Sequence, residues 1–471
     1  MIISLSLSLS ACLAFPPPPC RQVALPSSAM PEVVAQESAI KPLFDSLRSS
    51  KAGLTVGLLI GKASLAPKHI VCAAIPAPPP ADAGADSSSS SSSSNRVDGE
   101  WLAEQGRQIA DMLAAGLSVI GVFLHASAKD LDSTLPILSS AARALSAPVI
   151  LHSDSSRSAI AAKFLDSKAG SRPVTCPFSM DTASCSLYLA AGRVSIDASA
   201  LYHAADVKSA IKSAVAQVEA RIASSRVMLQ DCLIDSSSSS EDLSLVKWMK
   251  KMGIASDVKQ LAVSLLLPAQ HKVAHRLAVD SDVRGRVRLL GSVAARAVIH
   301  GKESMTRVVE MLKQDAIASM QRRVSLAAEE AAAGEGEPGW VWLNAGQGAQ
   351  AEDLRVDESS SALPVRVAVH DHRLPKGAIS DYALPADGEQ DIRSRLEEIA
   401  GETFKECALV WSETVHRPGV AGVVKATRVH KESGGRAASA SLSAVQALWI
   451  ILAVVVALAA MVVGRLAGYR G

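Results

Sequence analysis

The chain predicts an α/β (α+β) protein with two folded domains and a C-terminal transmembrane helix. Three observations predict this. The first 200 residues carry apolar runs and amphipathic stretches in the order β-β-α-β-α-β. A second set of apolar strands then surrounds one strong helix, and an uncharged run, Ala447–Gly464, lies near the end of the chain.

In the first domain, expected over residues 30–200, "LTVGLLIG" and "HIVCAAI" read as short buried strands. "PAPPPADAGADSSSSSSSSN" is a Pro/Ser-rich stretch and predicts a disordered loop over 77–97. Asp98 is placed to cap the helix "GEWLAEQGRQIADMLAAG", whose Trp101, Leu102, Ile109, Met112 and Leu113 share one face; Gly116 is expected to end it. "LSVIGVFL" is a continuous apolar strand, "KDLDSTLPILSSAARALS" a helix and "PVILH" a further short strand.

The second domain is expected over 201–404. "VKQLAVSLLLP", "HKVAHRLAV", "RGRVRLLGSVAARAVIH" and "PVRVAVH" read as strands. The stretch 302–331 predicts a helix with Met305, Val308, Val309, Leu312, Ala316 and Met320 at helical spacing, and "DIRSRLEEIAG" a shorter one. Residues 405–443 are polar and rich in Gly, Ser and Ala, which predicts a flexible stalk with one apolar patch, Cys407–Trp411. That patch reads as a partner-docking strand or an interfacial segment.

Residues 444–464 are expected to be a tail anchor. The uncharged run is about 27 Å long as a helix, close to the hydrocarbon thickness of the endoplasmic reticulum. Trp449 and Tyr469 suit the two interfaces, and Arg465 and Arg470 suit headgroup phosphates. The lipid bilayer is thus an expected partner, with the body in the cytosol. Residues 1–29 are apolar, lack Lys and Arg before Arg21 and run into "FPPPPC". They read as a dispensable leader or a mis-assigned start, with Met30 as another start, and not as a signal peptide.

Composition excludes other classes. Lys and Arg number 48 against 46 Asp and Glu, and aromatics make up 3%, so neither the charge nor the stacking surface of a nucleic-acid binder is present. The seven cysteines form no Cys-x-x-Cys, so no zinc ribbon or disulfide framework is indicated. There is no Gly-x-Ser-x-Gly, P-loop or Gly-x-Gly-x-x-Gly. His271 and His275 read as strand residues, with a metal-holding helix face as the weaker alternative, and "KWMKKM" (Lys247–Met252) as a solvated helix face, with contact to anionic lipid as the weaker alternative.

Two resemblances sharpen the functional reading. "HDHRLPKGAISDYA" (His370–Ala383) resembles the metal motif of JAMM-type zinc peptidases, in which a His-x-His pair and a downstream Asp hold zinc. His370, His372 and Ser380 have the right spacing, but Ala383 stands where the Asp is needed and Asp381 is two positions off. A membrane-tethered zinc metallopeptidase is therefore the disfavoured alternative.

"GLLIGK" (Gly57–Lys62), Gly99–Phe123, Ala295–Asp315, and "LPVRV" and "SDYAL" within Leu363–Leu384 together resemble the odorant-response-abnormal-4 homologue family. The resemblance implies a non-catalytic adaptor of the endoplasmic reticulum membrane. Such an adaptor recruits the cysteine protease specific for the ubiquitin-fold modifier and supports folding, trafficking and localisation of membrane receptors, its possible clients. It further implies a first domain with an MPN-like fold that has lost its catalytic apparatus, a pseudoenzyme without metal or other cofactor. The position of the catalytic Glu falls on Leu54, and the two His positions on Leu124 and Ala126. Leu and Ala offer no lone pair to a metal.

Overall fold

Both faces of the first sheet are buried, which is why its strands read as unbroken apolar runs. The computed structural model describes residues 31–49, 54–65, 68–78, 97–157, 159–166, 171–181, 187–203, 207–234, 243–255, 257–268, 283–333, 341–343, 363–370, 377–404 and 407–411. The first part of the chain forms β1 (Glu32–Gln36), α1 (Glu37–Ser49), β2 (Thr55–Leu65), β3 (Lys68–Pro76), α2 (Gly99–Met112), β4 (Ser118–Ala126), α3 (Ala128–Ala144), β5 (Val149–Asp154), β6 (Ile160–Phe164), β7 (Val174–Cys176) and β8 (Phe178–Asp181). The strands make one eight-stranded sheet in the order β7-β6-β5-β4-β2-β3-β1-β8.

Its two outermost strands are neighbours in sequence, separated only by Pro177. The Pro177 carbonyl accepts a hydrogen bond from Val33 N at 3.0 Å. The sheet thus curls until its edges meet at a residue that has no N–H to offer a ladder. Inside the curl, Val33, Phe44, Leu59, Val71, Phe123 and Leu151 form one core with α1, with the Phe44 ring edge-on to Phe123 at 5.5 Å. On the other face, α2 and α3 pack over Leu58, Ile60, Val122, Leu124 and Ile150. Asp98 caps α2 as expected, accepting from Glu100 N at 2.9 Å and Trp101 N at 3.2 Å.

The second body comprises β9 (Leu187–His203), α4 (Val207–Ala223), β10 (Arg226–Leu229), β11 (Cys232–Ile234), α5 (Leu245–Lys251), β12 (Gln260–Leu266), β13 (Val283–His300), α6 (Met305–Ala333) and β14 (Val341–Leu343). Its sheet order is β11-β10-β12-β9-β13-β14. β9 runs across the boundary expected at residue 200 and belongs to this second sheet, paired antiparallel with β13 from Leu187↔His300 onward. Val308, Leu312, Ala316 and Met320 bury the expected face of α6 against Val293, Ala297 and Ile299 of β13 and against α4. The strand expected at "HKVAHRLAV" lies outside the described residues.

A third sheet, order β16-β15-β17, is built from β15 (Val365–His370), β16 (Ile379–Ala383) and β17 (Ala408–Trp411), with α7 (Glu389–Ala400) between the last two. The apolar patch placed in the stalk by the sequence is here: Val410 and Trp411 pair with Ala368 and Val367, and Leu409 and Trp411 pack on the first core. An apolar strand next to an open sheet edge buries itself there, so it is not an exposed docking segment.

Among the described residues no helix is long and apolar enough to cross a membrane. The expected anchor 444–464, with Trp449, Arg465, Tyr469 and Arg470, lies outside them, as do the leader 1–29 and most of the loop 77–97.

Candidate functional site

Two places concentrate the polar and ligand-like positions: the ends of β2, β4 and β5, and the junction of the three sheets. At the strand ends, β2 pairs antiparallel with β4, with Thr55 opposite His125 and Val56 opposite Leu124. β5 runs parallel on the other side of β4, with His152 opposite Leu124 and Ser153 opposite His125. Leu54 adjoins this end of β2. The fold therefore brings Leu54, Leu124 and Ala126 to one end of adjacent strands. Leu124 is 0% and Ala126 2% exposed, and Leu54 packs against the same apolar cluster. Core packing fills this end of the strands with apolar side chains that offer no lone pair to a metal.

Two histidines flank it. His152, which the sequence reading passed over, is buried beside Leu124, its Nε2 3.2 Å from the Ala126 carbonyl. His125 faces the opposite side of the sheet, under α1, with Nδ1 3.2 Å from Ser153 Oγ and its buried Nε2 lacking a hydrogen-bond partner. Burial, with positive charge at Arg48 and His152, holds its pKa below the ordinary 6.5. Alternation alone places these two rings on opposite faces, so they do not converge on one ion.

The His370–Ala383 motif is equally committed to structure. His370 ends β15, and His372 lies outside the described residues. The buried Ser380 hydroxyl accepts from Arg366 Nε at 2.7 Å and sits 3.5 Å from the Met112 carbonyl. Asp381 receives Arg395 at 3.0 Å. Among the described residues no three His, Cys, Asp or Glu side chains cluster as a metal site would require.

The junction is the more polar place. Sequence reading ended α2 at Gly116, but the helix stops at Met112. Leu113–Ala115 leave it to bridge two sheets: Ala114 N donates to the Ala378 carbonyl beside β16, and Val298 N of β13 donates to the Ala115 carbonyl, both at 2.8 Å. Tertiary pairing overrides the helical pattern there. Gly116 then turns the chain with φ +84°, where an added Cβ would stand 2.3 Å from the Val298 carbonyl.

Two buried ion pairs surround that segment. Arg366 of β15 grips Asp315 of α6 through two bonds, at 2.6 and 3.1 Å. Asp315 also accepts from Arg296 N at 2.7 Å and Ala115 N at 3.2 Å. Lys62 of β2 binds Glu303 at 2.8 Å and the Val298 carbonyl at 2.7 Å. Burial pushes the Lys62 amine below its ordinary pKa, and Glu303 opposes that shift. Glu303 is also held by His300 N at 2.6 Å. The Asp315 carboxylate thus ties the second and third sheets to the Leu113–Ala115 segment, and the Glu303 carboxylate ties the first sheet to the second. All four ion-pair residues (Lys62, Glu303, Asp315, Arg366), and Arg296 with them, fall in the stretches that carried the family resemblance, but nothing in their spacing announces that they meet.

The family model for odorant response abnormal 4-like proteins matches residues 57–408. The chain belongs to that family. The match begins on β2 and ends at the first residue of β17, so it takes in most of the first sheet, all of the second, β15 and β16 of the third, and both ion pairs of the junction. No curated protein matches this family member. Among solved structures, the crystal structure of UfSP from C. elegans is similar with 10% identity and a TM-score of 0.39, covering 79% of this chain and 56% of the other.

Proposed function

We propose that the chain is a non-catalytic, membrane-anchored adaptor. It would hold a cysteine protease specific for the ubiquitin-fold modifier at the endoplasmic reticulum membrane, with the body in the cytosol. Its family membership over residues 57–408 carries this reading, because the resemblance to that family is what implies the role. The apolar filling at Leu54, Leu124 and Ala126 supports the non-catalytic part, since a hydrolytic metal needs lone pairs there. The uncharged run Ala447–Gly464 supports the anchor.

The mechanism is localisation. Confining a protease to a surface raises its effective concentration toward substrates on that surface, without any change at its active site. Support of receptor folding and trafficking is the second role the same resemblance implies, and a receptor-export factor without a protease partner is the reading that competes with it.

Affinity purification of the tagged full chain from membranes is the test. Recovery of a protease that cleaves the ubiquitin-fold modifier, and its loss from membranes when this chain is deleted, is the expected result. Membranes that retain the protease without this chain would overturn the adaptor reading. Tightly bound zinc in the purified protein, lost in His370→Ala, would instead revive the metallopeptidase.

A further inference from the structure

We infer that α5 and the turn after it form a contact surface for anionic lipid headgroups, a deepening that rests on the membrane-anchored reading above. Few large apolar side chains are exposed among the described residues, and two of them, Val246 (41%) and Met252 (39%), bracket this seven-residue helix. Between them Lys247, Lys250 and Lys251 all point outward, while Leu245, Trp248 and Met249 bury the inner face. At 100° per residue, Lys247 and Lys250 fall in the middle of the outer arc with Val246 and Lys251 at its two margins, and Met252, one residue past the helix, is the exposed apolar side chain at its C-terminal end.

Lys302 extends the patch, since Val246 N donates to the neighbouring Gly301 carbonyl at 3.0 Å. The carboxylate next to Lys302, Glu303, is turned inward and paired with Lys62. The helix itself carries no acidic residue, and Asp257 is the acidic side chain that follows it. Four exposed amines with shallow apolar flanks match an anionic surface, where amines meet phosphates and Val and Met insert at the headgroup boundary.

The tether permits this contact without dictating it. About 35 residues lie between Trp411 and Ala447, a length of chain that spans at most about 120 Å. The patch, and not the tether, selects the face. At about fivefold per lysine, the three helix lysines bias contact toward an anionic surface by about a hundredfold.

The experiment reconstitutes the full chain into vesicles of phosphatidylcholine, alone or with about 30 mol% phosphatidylserine. Flotation from neutral vesicles after a carbonate wash reports the anchor by itself. Amide hydrogen exchange over 246–253 reports the patch. The expected result is slower exchange there on the anionic vesicles only, abolished by about 0.5 M salt and by K247Q/K250Q/K251Q, with flotation unchanged. Flotation with equal exchange on both vesicles overturns this inference and leaves the anchor standing. Protection that survives K247Q/K250Q/K251Q but not Val246→Ser also overturns it, since contact would then be apolar alone. If the chain does not float, the anchor reading fails, and sedimentation with the anionic vesicles decides the patch: co-sedimentation lost in K247Q/K250Q/K251Q supports it, and none overturns it. Protection by an acidic protein but by neither vesicle assigns the surface to a protein partner and overturns the lipid assignment.

Discussion

The strand ends around Leu124 and the junction around Asp315 solve opposite problems with buried positions. At the first, Leu54, Leu124 and Ala126 close the space with apolar side chains, and the two histidines nearby face opposite sides of the sheet. At the second, full charges are kept in the interior and every carboxylate oxygen of Asp315 has a donor. Apolar filling tolerates small adjustments, because dispersion and burial are non-directional. A buried ion pair tolerates none, because removing one partner leaves a charge with no solvent. The contrast teaches that the constraint on this body lies in how its sheets are joined, more than in the apolar strand ends around Leu124.

Breaking the junction is the largest expected effect. Asp315→Ala removes the acceptor for Arg366 and for two backbone amides and should cost about 4 kcal/mol, read as a shift of the urea midpoint. Arg366→Met added to Asp315→Ala should recover part of that loss, since a buried uncompensated guanidinium is then gone. A simple sum of the two single effects would show that the pair is not coupled.

The strand-end site should respond less. Leu124→Ala should cost about 3 kcal/mol, the loss of burial plus a cavity, and leave the proposed recruitment of a protease to membranes unchanged. If Leu124→Ala instead abolished recruitment while unfolding remained cooperative, the site would be a binding surface and the comparison would fail.

Acid should act through the buried histidines. Burial lowers the pKa of His69 and of His125 from 6.5. The unfolded chain therefore takes up protons first as pH falls. Stability is full above about pH 6.5 and declines below it, by at most about 1.4 kcal/mol per pH unit for each histidine. His125→Leu should flatten the slope between pH 6.5 and pH 5, measured by urea unfolding; an unchanged slope would show that His125 does not contribute to it.

The smallest effect is expected at the surface. K247Q/K250Q/K251Q should change stability by about 0.5 kcal/mol or less, because these side chains are exposed. A larger loss would mean that α5 is held by its charges and not by Leu245, Trp248 and Met249.

Much of the fold was legible in the chain. Continuous apolar strands, the Asp98 cap, the α6 stripe and the "PVRVAVH" strand all depend on residues close in sequence, and local periodicity reports such things directly. Less legible was α2, which stops short of Gly116 because Leu113–Ala115 pair with β13 and β16, partners far away in the chain. The strand β17 was hidden for the same reason: "CALVW" in a polar context looks like an exposed patch until a sheet edge is placed beside it.

Sequence by itself determined the α/β class, the apolar character of Leu54, Leu124 and Ala126, and the resemblance that family membership bears out. Only the tertiary structure decided that His125 and His152 face opposite sides of one sheet, that Ser380 and Asp381 serve arginines, and that Lys62, Glu303, Asp315 and Arg366 meet. Residue type and period are properties of a segment. Convergence is a property of strand register and sheet packing, and for these groups it joins positions as far apart as Lys62 and Glu303 or Ala115 and Asp315.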